Sequence, residues 1–519
     1  MKKAIYGDEA RSKLIEAAEA LCNPVKVTLG PKGKNVIINP IDGMAHSTTD
    51  GVTVAGEIES ADPFINAGIK IFRQAASKTV ADAGDGTTTA TILAHSLINE
   101  INNELMEGKD IASIKLGLTE QLKICVKAIR QFAHPLVVNN VLDLEKLKQI
   151  ATISSNNDEM VGELFSDAYS VIGPAGTILL EESKKSETYI EAVPGMRQER
   201  GYVSQYFVNK EKMRCEYDDP VYFVTDKKLT QSTDFIKIAA HCHSQNKPLI
   251  IICEDIDGEA LSSLNINRLK NNLQVCAITI PNWIRQGRDI IEDIAVYTGA
   301  TFCSEKNAFS IDNLQEENIC QILGRSEKFS AGIKESIIIG GKGTEIKERV
   351  ANIDAQIVPE IASFEQEQLR ARSSRLNGGV AILYAGGQTE VERKETLDRC
   401  EDAVLAVRSA LEEGYLPGGG KIYLLCRLLM PNSILSRSLK VITEQICLNA
   451  DKVPDKIISK IESANDSNFG YNAKTDTLED LCKAGVVDSA KVIRVALENA
   501  VSISLAFLNT DCLIADFKD

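Results

Sequence analysis

Aromatic residues are scarce in this chain: they make up 5% of 519 residues and include a single tryptophan. No run approaches the roughly 18 consecutive apolar residues of a membrane span, so no membrane-spanning helix is expected. The 13 cysteines, an odd number spread from Cys22 to Cys512, contain no C-x-x-C pair and no zinc-finger spacing. That pattern argues against a zinc ribbon and against a complete disulfide framework, and fits buried thiols in a reducing cytosol. Basic residues are not massed either. The 58 Lys and Arg are scattered among 73 Asp and Glu, leaving a net charge of −15, which disfavours nucleic acid as a partner. The opening residues turn acidic at Asp8 and Glu9 and lack the apolar stretch of a secretory signal. A cytoplasmic protein with no membrane contact is the expectation.

What is present is length and an ordinary globular balance. A chain of this length implies roughly three domains, each able to bury its own core. With 44% hydrophobic and 25% charged residues, it is too apolar for a disordered chain. Two helix-rich ends flank a mixed middle. From Asp8 to about Gln131 the apolar spacing is helical, as in Ile92, Leu93, Leu97, Ile98, Ile101 and Leu105, and Leu411 to Leu505 reads the same way. In the middle, Pro248 to Cys253 and Val275 to Ile280 read as buried parallel strands, with a helical stretch near Glu259 to Leu269 between them. That order is βαβ, so the middle contains an α/β domain. Gly195, Gly378, Gly379 and Gly414 stand where the pattern changes and could be hinges, although ordinary turns are the commoner explanation. The last residues, Ala515 to Asp519, read as a short polar end.

The strongest local signal is Asp82-Ala83-Gly84-Asp85-Gly86-Thr87-Thr88-Thr89-Ala90-Thr91, which runs directly into a helical pattern. Glycines let backbone amides approach an anion, a helix start supplies free N–H groups, and threonines add hydroxyl donors. Asp85 could reach a Mg²⁺ ion there. A helix start capped by Asp and Thr explains the same residues. Thr28 to Asn35 is a basic, glycine-bearing turn that does not match the P-loop G-x-x-x-x-G-K-[ST]. Leu416-Pro417-Gly418-Gly419-Gly420 is either a close approach to a flat ligand or a helix-ending loop. Asp402 falls roughly opposite the stripe Cys400, Ala403, Val404, Val407 and Leu411, a solvated position unless the helix closes over a site. His241-Cys242-His243 carries metal-compatible atoms, but on a helix their side chains splay apart.

Taken together, these segments resemble the group I (GroEL-type) chaperonins, and the likeness runs through nearly the whole chain. It is carried by Val25 to Gly33, Asp50 to Ala55, Ala83 to Thr91, Arg200 to Ser204, Glu412 to Gly414 with Gly418 to Gly420, and Gly470 to Ala473, in the family's order. The resemblance implies a mainly α fold with α/β content: a helical equatorial ATP-binding domain (1–132 and 412–519), a hinged intermediate domain (133–192 and 379–411) and an α/β apical client-binding domain (193–378). It implies an ATPase with ATP and Mg²⁺ as ligands. Thr28, Leu29, Gly30 and Pro31 with Asp85, Gly86, Thr87, Thr88 and Thr89 would hold the phosphates and the metal, the latter at Asp85. Gly419, Asn472, Ala473 and Asp488 would hold base and ribose. Asp402 matches the catalytic aspartate and Asp50 its support. Tyr202, Tyr206, Phe207, Ile236, Leu261 and Ile266 match client-binding positions, with buried packing the competing reading for each, most of all for Phe207. The implied partners are non-native proteins, a GroES-type co-chaperonin and further copies of this chain in a seven-membered single or double ring.

The chain departs from the family at several points. Thr49 replaces a phosphate-contacting lysine, Asn265 replaces an apolar groove residue, and Gln205 replaces a proline beside Tyr206. Pro281 to Arg285 lacks a Gly-Phe-Gly pattern, Lys452-Val453 replaces paired glutamates, and a Gly/Met-rich tail is not seen. These departures support an alternative, a specialised paralogue that binds protein or nucleotide with weak or no ATPase cycling.

Overall fold

The computed structural model describes residues 2–39, 46–138, 141–174, 176–183, 185–210, 213–281, 287–304, 318–357, 363–464 and 466–517. The chain divides into two compact units, one made of Met1–Ser166 with Gly387–Asp519 and the other of Asp167–Gly386.

The first unit is helical because its long apolar patterns have helical period. In Gly7–Lys26 the buried positions are Ala10, Leu14, Ala17, Ala18, Leu21, Cys22 and Val25, a single stripe at three- and four-residue spacing. Helix Ala490–Leu508 is different: its buried face is much wider, from Ala490 and Ile493 to Phe507 and Leu508, and the stripe Lys491, Arg494, Glu498 and Ser502 is less buried. A helix buried over most of its circumference belongs near the centre, and this one packs against Pro63–Ala83, Thr87–Met106 and Ile111–Phe132. The chain ends do not finish as a polar tail, contrary to the sequence expectation. Cys512–Asp516 pairs antiparallel with Lys2–Tyr6, burying Leu513 and Ala515 on one face, and Phe517 packs edge-on against Phe64.

The second unit holds the expected βαβ. Val221–Val224, Leu249–Cys253 and Val275–Thr279 run parallel, and Gly324–Arg325 joins the edge antiparallel. Leu249–Cys253 is buried at every position, as required of a parallel strand covered on both faces, and helix Gly258–Lys270 makes the crossover to Val275. A second, six-stranded mixed sheet runs in the order Thr177–Glu182, Gly379–Ala385, Tyr189–Gln198, Ser336–Ile339, Lys328–Ala331, Cys215–Asp218. Gly195 lies within this sheet, with its missing side chain facing Val380, so close strand packing explains it. Asn282 to Arg285 lie outside the described residues. No helix among the described residues is long and apolar enough to cross a membrane.

Candidate functional site

Four loops of the first unit converge. The first follows helix Gly7–Lys26. Its turn is closed by the Gly33 amide donating to the Gly30 carbonyl (2.9 Å) and the Lys34 amide to the Val27 carbonyl (2.8 Å), while the Thr28 hydroxyl donates to the Val25 carbonyl (2.9 Å). Asn449 fixes this turn from outside, donating to the carbonyls of Lys26 (3.0 Å) and Leu29 (2.8 Å), and is itself held by Gln445. Gly30 is left-handed, and Pro31, Lys32 and Lys34 are exposed.

In the second loop Asp50 caps helix Gly51–Glu57, accepting from the amides of Val52 (3.1 Å) and Thr53 (2.7 Å) and from the Thr53 hydroxyl (2.6 Å). A Cβ on Gly51 would lie 2.0 Å from the Thr88 hydroxyl oxygen, so only glycine lets the Asp50 and Thr88 segments meet.

The third loop decides between cradle and cap. Helix Thr87–Met106 begins at Gly86 in left-handed conformation, and no side chain caps it. The expected Asp/Thr cap is therefore absent at this helix start, and the first-turn amides keep their capacity for an anion. Thr87 is 3% exposed, and its hydroxyl oxygen has no hydrogen-bond partner among the described residues. Asp85 accepts from the Gly86 amide.

The fourth loop carries the glycine run. A Cβ on Gly418 would sit 3.3 Å from both carboxylate oxygens of Asp488, and Gly419 lies beside the Tyr471 carbonyl. Asp488 pairs with Leu416 across a short antiparallel ladder. Asn472 and Ala473 are buried next to Tyr471, and the Asn472 amide donates to Glu479 (3.0 Å).

Asp402 does not point into solvent. Its helix, Glu390–Glu413, has a second packed face on which Asp402, Leu405 and Ser409 recur at three and seven residues. The Ser409 hydroxyl donates to the Ala83 carbonyl (2.7 Å), and a Cβ on Gly84 would lie 2.1 Å from that of Leu405. The solvated-surface expectation is corrected accordingly: the helix lies on the Gly84 loop, and Asp402 faces Asp85 and Asp50. Burial, and then those two carboxylates, push the Asp402 carboxyl up to about 9. Burial and then Asp85 push Asp488 up to about 7, and burial and then Asp50 raise Asp85. Carboxylates gathered in this way are the electrostatics that a bound cation relieves. No group of three or more His, Cys, Asp or Glu among the described residues could hold a metal ion by itself. A divalent ion at Asp85 would thus take one protein ligand and find the others on phosphate and water, the usual mode of Mg²⁺.

Sequence reasoning missed the buttresses: Asn449 and Gln445 behind the Thr28 turn, Ser409 on Ala83, and Asn156, whose amide donates to the Thr49 hydroxyl (3.2 Å). Only Ser409 had a signal, its seven-residue spacing from Asp402.

In the second unit the six client-binding candidates separate by burial. Tyr206 (58% exposed), Ile266 (51%) and Ile236 (42%) present apolar surface, and Leu261 is half-buried. Phe207 and Tyr202 are buried in the α/β core, and the Tyr202 hydroxyl donates to the Met213 carbonyl. Those two assignments are corrected: their rings pack inward. The turn Gln205–Phe207 packs on helix Gly258–Lys270, bringing Tyr206 to the helix that carries Leu261 and Ile266. Cys242 is buried between its two histidines, and Lys452 is ion-paired with Asp476.

Comparison with known proteins agrees with this architecture. The family model described as the TCP-1/cpn60 chaperonin family matches residues 21–518. Among solved structures, the chaperonin gp146 from the bacteriophage EL 2 (Pseudomonas aeruginosa), crystallised in the presence of ATP-BeFx, superposes with a TM-score of 0.74 at 22% identity over 99% of each chain. A second crystal form of that protein gives 0.66 at the same identity and coverage. At that identity the likeness speaks to the fold.

Proposed function

This chain belongs to the TCP-1/cpn60 chaperonin family, and from that premise we propose that it is an ATP-hydrolysing chaperonin subunit that captures non-native proteins and promotes their folding within a ring, assisted by a co-chaperonin. The observation that carries the proposal is the uncapped start of helix Thr87–Met106, with its orphaned Thr87 hydroxyl, at the centre of converging carboxylates.

In this reading the turn Thr28 to Pro31 and the run Asp85 to Thr89 would receive the phosphates, and Asp85 would hold Mg²⁺. Gly419, Asn472, Ala473 and Asp488 receive base and ribose. Bound Mg²⁺-ATP supplies a phosphoanhydride whose terminal group is open to attack by water. Asp402 accepts a hydrogen bond from that water and orients it, while Asp50, held by three donors from its own helix, is fixed in position beside it. Gly84 lets the Asp402 helix lie close enough to exclude bulk water. Non-native clients meet Tyr206, Ile236 and Ile266, whose apolar contact requires no fixed hydrogen-bond geometry. Three functional domains, with the boundaries expected above, and a seven-membered ring complete the proposal.

A specific observation favours a second reading, a paralogue that binds without productive cycling. At Thr49 a neutral hydroxyl tied to Asn156 stands where the resemblance calls for a lysine. Calorimetric titration tests the nucleotide site. The wild type should bind ATP with Mg²⁺-dependent affinity, and Asp85→Asn should weaken that affinity by about tenfold or more. No binding of ATP at millimolar concentration would overturn the proposal.

A further inference from the structure

Helix Ile111–Phe132 carries a feature that the nucleotide site does not use. Its outer side walls a groove of about 460 Å³. Lys123, Lys127 and Arg130 line one edge, at i, i+4 and i+7, within an arc of about 60° at 100° per residue. Leu122 and Val126 form the apolar floor, and Glu498 stands on the opposite wall. The three cations make no salt bridge among the described residues. Glu498 is taken by Arg494 (2.6 Å), and so is Glu413, the carboxylate that Arg130 influences from a distance. The groove therefore presents three cations without a salt bridge, with Glu120 on the same helix face, on a chain of net charge −15. Next to it, sharing Gln131, a second cavity of about 130 Å³ extends the depression past Phe132 to Leu425.

We propose that this groove docks an acidic amphipathic segment of a partner protein, with carboxylates at i, i+4 and i+7 on the cations and apolar side chains on Leu122 and Val126. Leu122 to Gln131 covers about 14 Å of helix, enough for about two and a half turns of such a segment. Charge complementarity selects the partner: cations at i, i+4 and i+7 without a salt bridge favour a segment whose carboxylates repeat at the same spacing. The apolar floor of Leu122 and Val126 argues against single-stranded nucleic acid, which needs a row of stacking platforms along the strand.

The test uses the assembled full-length protein and a fluorescein-labelled helical peptide of Leu and Glu with that spacing, followed by fluorescence anisotropy. Binding should weaken steeply with salt. Lys123→Glu with Lys127→Glu should weaken it by at least about tenfold, and Lys123→Gln with Lys127→Gln by an intermediate factor, with assembly mass and circular dichroism unchanged. Three results would overturn the proposal. One is affinity unchanged in both variants. Another is equal binding of polyglutamate, which has no apolar residues and would reduce the groove to a general polyanion site. The third is a change in assembly mass on charge reversal, which would make a second copy of this chain the occupant. None of these depends on whether ATP is hydrolysed.

Discussion

Burial, and then neighbouring carboxylates, raise the proton affinity of Asp402, Asp85 and Asp488, with Asp85 acting on Asp402 and Asp488 and Asp50 acting on Asp402 and Asp85, and the sign of the effect on stability follows. A carboxyl whose folded pKa is raised to about 9 contributes stability that is fully present below its unfolded range, near about 4, and is lost as pH rises through the folded value. Asp402→Asn keeps the shape and removes the titration. The nucleotide-free variant should therefore melt above the wild type at about pH 9, with the two converging near about pH 5. Scanning calorimetry across that range checks it, and a gap independent of pH would contradict it. At Thr49 the expectation concerns rate. Thr49→Lys releases Asn156 and restores a cation facing the proposed phosphate position, and should raise steady-state ATP turnover on the order of tenfold. Unchanged or lower turnover would show that the hydroxyl is not what limits the cycle. The sequence marked Asp402 and Thr49 as unusual positions, but their surroundings come from residues far away in the chain: Gly84 meets Leu405, and Asn156 meets Thr49.

Glycine at position 84 governs how two elements meet. It is left-handed (φ 83°), and a Cβ there would lie 2.1 Å from that of Leu405. Gly84→Ala must strain the loop or lift helix Glu390–Glu413 off it, at a cost of about 2–4 kcal/mol. Urea unfolding should show that loss, and ATP turnover should fall further than stability requires, because Asp402 moves with its helix. A fully active, equally stable variant would contradict the packing described here. The sequence showed the helix and its first apolar stripe, since those depend on period. It did not show the second packed face, because Leu405 sits within the apolar run Val404-Leu405-Ala406 and Ser409 is a lone hydroxyl, so neither marks a separate face. The pairing of Lys2–Tyr6 with Cys512–Asp516 was hidden for a related reason. Each strand has five residues, and what specifies them is a partner at the other end of the chain.

Across the whole molecule, the helical ends and the βαβ in the middle were legible because buried parallel strands read as unbroken apolar runs, Leu249–Cys253 above all. The client-binding candidates were less so. Tyr206 and Phe207 are adjacent and chemically alike, yet one is 58% exposed and the other fully buried, a division set by the helix beneath them. In the proposed function the converging loops of the first unit take ATP and the exposed apolar residues of the second take clients, and ATP hydrolysis by an intact assembly is the step on which that proposal turns. The most direct test is steady-state ATP hydrolysis by the purified protein beside Asp402→Ala, with assembly mass recorded on the same samples. The account expects turnover to fall by roughly 100-fold in the variant while its mass stays that of the wild-type ring. Equal turnover in the two assembled proteins would contradict it.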